Sequence, residues 1–228
     1  MTRHTLQSVA LAAAACFAVS LGGCDPDSST PAARDVDPAT RMDHAPGKWS
    51  SAAGVSVLEM VLTDTAGNEI QLADYKGKYV VLEWLNHDCP FVRKHYDSGN
   101  MQKLQATYTS KGVVWLSIIS SAPGEQGNLP PDEIDELTRQ KKASPTAVII
   151  DSSGDMGRAF DAKVTPHMFV LNPDGRAIYN GAIDDKKSTD VADVKDAKNY
   201  VAVTLDNAMA GKPLEKHWNM AYGCSIKY

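Results

Sequence analysis

The sequence predicts an α/β fold with a central mixed β-sheet flanked by helices. Three observations carry that prediction. From about residue 56 onward, short β-branched and aromatic runs alternate with stretches of helical periodicity. The order closes on a strand, a tight turn, a second strand and a final helix. The hydrophobic share of 43% in 228 residues supplies one packed core with room for accessory segments.

Val55, Val57 and residues 58–62 suggest a first strand, and residues 63–68 (TDTAGN) a turn, after which Ile70 and Leu72 open a second apolar stretch. The run Tyr79-Val80-Val81-Leu82-Glu83-Trp84-Leu85 has the composition of a buried central strand. Asn86-His87-Asp88-Cys89 follows it, and then Pro90. Proline is favoured at the first position of a helix, so Cys89 is expected to cap one. Val92, Tyr96, Met101, Leu104 and Tyr108 approximate a helical face, interrupted at Ser98-Gly99-Asn100, where a restart capped by Asn100 is expected. Strands are then predicted over 113–119 and 147–150, and helices over 131–140 and 154–160. A strand over 168–171 turns at Asn172-Pro173-Asp174-Gly175 into a hairpin partner over 177–183. The last helix is expected over 194–209, with Tyr200, Val201, Leu205 and Met209 inward and Gly211 ending it.

The N-terminus has a different character. Residues 1–7 carry Arg3 and His4 without an acid, residues 9–21 are almost wholly apolar and small, and Leu21-Gly22-Gly23-Cys24 follows. This is the architecture of a secretory signal peptide over 1–23 and not of a membrane span. The tetrapeptide resembles the bacterial lipobox, which implies that Cys24 is a lipid anchor to the membrane; an ordinary cleaved signal is the alternative. Residues 24–50 hold the lipobox cysteine and a Pro-rich tether without apolar periodicity. The folded domain is expected over 51–228, exported to the cell envelope and facing the periplasm as a membrane-anchored lipoprotein. The net charge of −5 offers no basic face for nucleic acid. Of four cysteines, Cys16 lies in the apolar leader and Cys24 at the lipobox, so Cys89 and Cys224 remain for the domain. Export places them where disulfides persist.

From these residues the chain resembles the thioredoxin superfamily, in its redoxin (AhpC/TSA-like) branch of exported thiol proteins. The resemblance rests on the strand ending at Trp84 and leading into Asp88-Cys89-Pro90-Phe91-Val92. It rests also on Val164-Thr165-Pro166-His167 with the strand and hairpin that follow, and on the tail Tyr222-Gly223-Cys224-Ser225-Ile226-Lys227-Tyr228. It implies a thioredoxin-like fold over about residues 51–228 and a redox thiol at Cys89. It further implies a cis Thr165-Pro166 peptide packed against that thiol, with the Thr165 backbone open to a substrate strand. Trp84, His87, Pro90, Thr165 and Pro166 are accordingly expected to line the substrate.

Physical chemistry supports a reactive Cys89 independently. A thiol reacts as its thiolate, and the free N–H groups at a helix start favour a nearby anion. Arg93 and Lys94 add positive potential, Asp88 opposes it, and His87 stands close enough in sequence to relay a proton. The departure from the thioredoxin pattern is Val92, which stands where a second cysteine two residues beyond Pro90 is usual. Three readings of Cys224 stay open. It resolves an oxidised Cys89, it forms a permanent staple worth about 5 kcal/mol across the long loop from 89 to 224, or it never meets Cys89.

The function expected is a thiol–disulfide oxidoreductase of the cell envelope with catalytic Cys89 and Cys224. It would act on protein or small-molecule disulfides with an unidentified thiol electron donor and no cofactor or resident metal. One alternative is a thiol peroxidase acting on hydroperoxides, although Asn86 stands where a peroxiredoxin carries Thr or Ser. Another is a copper-binding chaperone in which His87, Cys89, His95 and His167 gather as soft donors for Cu(I).

Overall fold

In a computed structural model the described residues are 56–228. The leader, Cys24, the tether and residues 51–55 lie outside them. The elements run in the expected alternation: β1 (Leu62–Asp64), β2 (Glu69–Ile70), β3 (Val80–Trp84), α1 (Pro90–Asp97), α2 (Asn100–Thr109) and β4 (Val114–Ile119). There follow α3 (Pro131–Gln140), β5 (Ala147–Ile150), α4 (Asp155–Ala159), β6 (Val164–Thr165), β7 (His167–Leu171), β8 (Ala177–Gly181), α5 (Tyr200–Met209) and β9 (Cys224–Ser225).

Among the described residues, seven strands form one mixed sheet in the order β2-β1-β5-β4-β3-β7-β8. β3 lies parallel to β4 and antiparallel to β7, with Leu82 opposite Leu116 on one side and Phe169 on the other. All five β3 residues are buried, as the near-continuous apolar run requires of a strand covered on both faces. Its pleat divides the core. Val81 faces a layer with Val92, Tyr96, Met101, Val201 and Leu205. Val80, Leu82 and Trp84 face the opposite layer with Met156, Phe160 and Phe169. Each such side chain contributes about 1.5–3 kcal/mol on leaving water.

Glu83 is the polar exception in this strand and is wholly buried. Tyr96 donates to its Oε1 at 2.9 Å, while Trp115 Nε1 (2.8 Å), Ser117 Oγ (3.0 Å) and Gln105 Nε2 (3.3 Å) donate to Oε2. Four donors on one carboxylate tie β3, β4, α1 and α2 together, and the group is tolerated because its acceptor sites are filled. Burial pushes the Glu83 pKa up, against the downward pull of Trp115, Tyr96, Ser117 and Gln105.

Three local expectations are corrected. Val57–Glu59 is a turn and not the start of a strand, because the Ser56 hydroxyl accepts from the Leu58 N–H and the Ser56 carbonyl from Glu59. The helix break at 98–99 occurs, but the cap is Gly99 at φ 73°, a conformation glycine takes without cost, and Asn100 is the first helical residue. The last helix starts at Tyr200, six residues later than expected. Asn199 first bridges to Asp184 and then caps the helix by accepting from the Ala202 N–H, while residues 191–196 form a separate 3₁₀ segment. Val201 and Leu205 do point inward; Met209 is 39% exposed.

Glu83→Ala is expected to lower unfolding free energy by about 3 kcal/mol, since four buried donors lose their acceptor. Glu83→Gln should cost less. Because the folded pKa lies above the ordinary 4.5, the folded state binds the extra proton, so Glu83 makes stability fall as pH rises from 4.5 through the folded value. Urea denaturation of the three proteins across pH measures both effects, and the Gln variant should lose this component of the slope.

Candidate active site

The turn between β3 and α1 is fixed before the helix begins. Asn86 Oδ1 accepts from the Asp88 N–H (2.9 Å), its Nδ2 donates to the Gln126 carbonyl (3.3 Å), and the Cys89 N–H donates to the Asn86 carbonyl (3.1 Å). Cys89 then sits at the N-cap in extended conformation with Pro90 at the first helical position. Its carbonyl accepts the first helical hydrogen bond, from Arg93 N–H at 2.9 Å. The side chain points inward, and the residue is 0% exposed.

Across from it, the Thr165-Pro166 peptide is cis. The Cys89 thiol donates to the Thr165 carbonyl at 3.0 Å. The C-terminal tail occupies the other side of Thr165: β6 and β9 pair antiparallel with Thr165 opposite Cys224. Cys224 thus lies beside Cys89, and its thiol and backbone N–H, with the Val92 N–H, favour the Cys89 thiolate. Both cysteines are free thiols, Cys89 buried and Cys224 half-buried.

These contacts separate the two acidities. Burial pushes the Cys89 pKa up, but the Cys224 thiol and the Val92 and Cys224 N–H groups hold it below the ordinary 9.0. Cys224 is pushed up to about 11, by burial and then by the neighbouring Cys89 sulfur. The pair therefore has one anion-stabilised sulfur and one that keeps its proton.

The tail that carries Cys224 is anchored on both sides of it. Before it, the Tyr222 ring meets Phe91 edge-on at 5.8 Å, and the Tyr222 hydroxyl donates to Asp184. After it, the Ile226 N–H donates to the Lys163 carbonyl (3.1 Å) and the Lys227 carbonyl accepts from the Ala122 N–H (2.7 Å). The Tyr228 hydroxyl donates to the Ala162 carbonyl at 2.9 Å. Gly223 makes the approach possible: at φ 150°, a Cβ there would lie 2.0 Å from the Thr165 carbonyl oxygen. The backbone edge of Thr165 that was expected to receive a substrate strand is thus paired with the protein's own tail.

The other residues singled out in the sequence are placed less centrally. Pro90 is exposed beside Cys89, and Pro166 is buried in the loop. Trp84 is in the opposite core layer from Cys89, edge-on to Phe169 at 5.2 Å and donating through Nε1 to Ser120 Oγ. His87 is 7% exposed, edge-on to Tyr96 at 6.1 Å, and burial first, with Lys141 adding, lowers its pKa to about 4 despite Asp88. It is neutral near pH 7 and, among the described residues, has no hydrogen-bond partner through which to relay a proton. Lys94 does not lend its charge to the thiol. It is buried 3.5 Å from Asp184 and donates to the Lys186 carbonyl at 2.7 Å.

The gathering of His87, Cys89, His95 and His167 around copper does not form: no cluster of three or more such donors is found among the described residues. His95 faces Asn100 at 3.0 Å and Asp184 at 3.9 Å, while His167 accepts from the Lys163 N–H at 3.2 Å and faces Asn180 at 2.7 Å. Their neighbours hold these rings in the scaffold. Glu83, Asp184, Tyr222 and Gly223 were not assigned roles from sequence. Glu83 was visible as an acid within an apolar strand, whereas nothing near Asp184 in sequence signalled its burial.

The Redoxin family model matches residues 50–200, so the tail bearing Cys224 lies beyond the match. The thiol-disulfide oxidoreductase ResA of Bacillus subtilis (strain 168) is 24% identical over 139 residues, covering 58% of this chain and 68% of ResA. Among solved structures, an uncharacterized conserved protein from Geobacillus kaustophilus aligns at TM-score 0.64 and 23% identity, over 74% of this chain and 88% of its own. A hypothetical protein from Sinorhizobium meliloti 1021 gives 0.62 and 22%, over 74% and 90%. At these identities the two structures show the fold.

Two measurements test the geometry. Gly223→Ala should undock the tail and raise alkylation of Cys89 by N-ethylmaleimide about tenfold or more, with the far-ultraviolet spectrum unchanged; an unchanged rate would mean that the tail does not shield the thiol. Thiolate absorbance should titrate in two steps, one below 9.0 that Cys89→Ser removes and one near 11. Cys224→Ala should move the first step upward, because the Cys89 thiolate then loses a side-chain donor.

Proposed function

The chain belongs to the Redoxin family, and from that premise we propose that it is a thiol–disulfide oxidoreductase whose redox pair is Cys89 and Cys224. The observation that carries this reading is the register that sets Cys224 opposite Thr165, whose carbonyl accepts from the Cys89 thiol. In the reaction, the two thiols give up two electrons and two protons to a partner disulfide and close a bridge between themselves. A thiol donor then reopens it.

The alternative of a permanent staple is less well supported. Tyr222, Ile226, Lys227 and Tyr228 hold the tail in place without a covalent link, so the bridge can open while the tail remains docked. The hydroperoxide reading is also weaker, since the Asn86 carboxamide is engaged with Asp88 and Gln126 and anchors the turn. Substrates on this reading are protein or small-molecule disulfides. The signal-like leader and the lipobox-like tetrapeptide ending at Cys24 support a site in the cell envelope, on a membrane-anchored lipoprotein.

Cys89→Ser and Cys224→Ser are each expected to lower reduction of insulin-type disulfides by about two orders of magnitude or more. Mass spectrometry of the wild type should show the bridge appearing with a disulfide substrate and disappearing with dithiothreitol. A bridge that resists mild reductant, with activity intact in the double variant, would sink the proposal. Peroxide consumption faster than insulin reduction would favour the peroxidase instead.

A further inference from the structure

We propose that Cys224, not Cys89, is the sulfur at which an external thiol joins the protein, so that Cys89 acts only on its own tail. This rests on the cycling pair proposed above and reverses the order expected from sequence, in which Cys89 meets the partner and Cys224 resolves.

The geometry supplies the reason. Thiol–disulfide exchange requires the nucleophile to approach along the extension of the S–S bond, on the far side of the sulfur attacked. Behind Cys89 lies the core: the residue is 0% exposed, packed in one layer with Leu85, Val92 and Tyr222, with the Thr165 carbonyl 3.0 Å away. Cys224 is half-buried, and the Ser225 beside it is exposed. The open end of a Cys89–Cys224 bridge is therefore the Cys224 end. A polypeptide cannot bypass this by adding a strand at Thr165, because β9 is already paired there.

The chemistry runs in the same direction. A donor thiolate attacks the Cys224 sulfur. A donor–Cys224 disulfide forms, the Cys89–Cys224 bond breaks, and its electron pair leaves on Cys89. Exchange is faster when the departing thiol has the lower pKa, and Cys89 is the sulfur that its neighbours stabilise as an anion. A second donor thiol then attacks the donor sulfur of the mixed disulfide and releases Cys224. Two donor thiols become one donor disulfide, and their two protons end on Cys89 and Cys224. In the oxidising direction the Cys224 proton passes to the Cys89 thiolate before Cys224 attacks the substrate disulfide; Cys89 then closes the bridge and the substrate leaves as two thiols.

The test uses the full chain, oxidised with diamide and mixed with reduced glutathione. The mixture is acid-quenched at short times, alkylated, and mapped by peptide mass spectrometry. Glutathione is expected on the Cys224 peptide in about tenfold or greater excess over the Cys89 peptide, with Cys89 alkylated. If no mixed disulfide survives the quench, the single-thiol variants Cys89→Ser and Cys224→Ser are reacted with glutathione disulfide. With each rate divided by the variant's thiolate fraction from its own absorbance titration, the Cys224 thiolate must react about tenfold faster than the Cys89 thiolate. Equal or Cys89-favoured modification overturns this inference alone. Failure of the oxidised protein to hold a Cys89–Cys224 bridge overturns the proposed function as well.

Discussion

The antiparallel register of Thr165 against Cys224 is the constraint on which the site depends. One short pairing fixes the tail beside the cis-proline loop and brings the second thiol to the first. The same pairing closes the edge that a foreign strand would otherwise use. It is possible because Gly223 lacks a side chain where the Thr165 carbonyl oxygen would lie 2.0 Å from a Cβ. Shielding and pairing of Cys89 thus come from a single contact.

That contact is supported from behind by buried charge. Asp184 receives the Tyr222 hydroxyl from the tail and faces Lys94 of α1 at 3.5 Å, with both charged side chains almost wholly out of water. Such a pair adds little to stability compared with an apolar replacement, but removing one partner strands the other. Its effect here is geometric: it links the helix that begins at Cys89 to the tail segment two residues before Cys224. His95 lies 3.9 Å from the same carboxylate, and burial first, Lys94 adding and Asp184 opposing, lowers its pKa to about 4. It therefore stays neutral near pH 7 and leaves the lysine as the counter-charge.

Glu83 performs a comparable task in the scaffold. Its four donors come from β4, α1 and α2, so the strand that ends just before the Cys89 turn is held in register with the helices that follow. A carboxylate in a central strand also excludes alternative registers, since a one-residue slip would place it in the opposite, apolar layer.

The alternation of elements was legible from local periodicity, and so was Cys89 at the start of α1, because Pro90 and the preceding buried strand are adjacent to it in sequence. The pairing partner of Thr165 was not. Composition and spacing named Cys224 as the remaining domain cysteine but left it as a resolving thiol, a staple or a bystander, since register between segments some sixty residues apart has no local signature. The same limit holds for Trp84, which the strand pleat carries into the core layer opposite Cys89. The sequence by itself determined the order of elements, the capped helix and the identity of the two thiols, because short-range sterics and hydrophobic period set these. Only the tertiary structure decided that the tail closes over Cys89 and which sulfur faces outward, because both depend on contacts between residues distant along the chain.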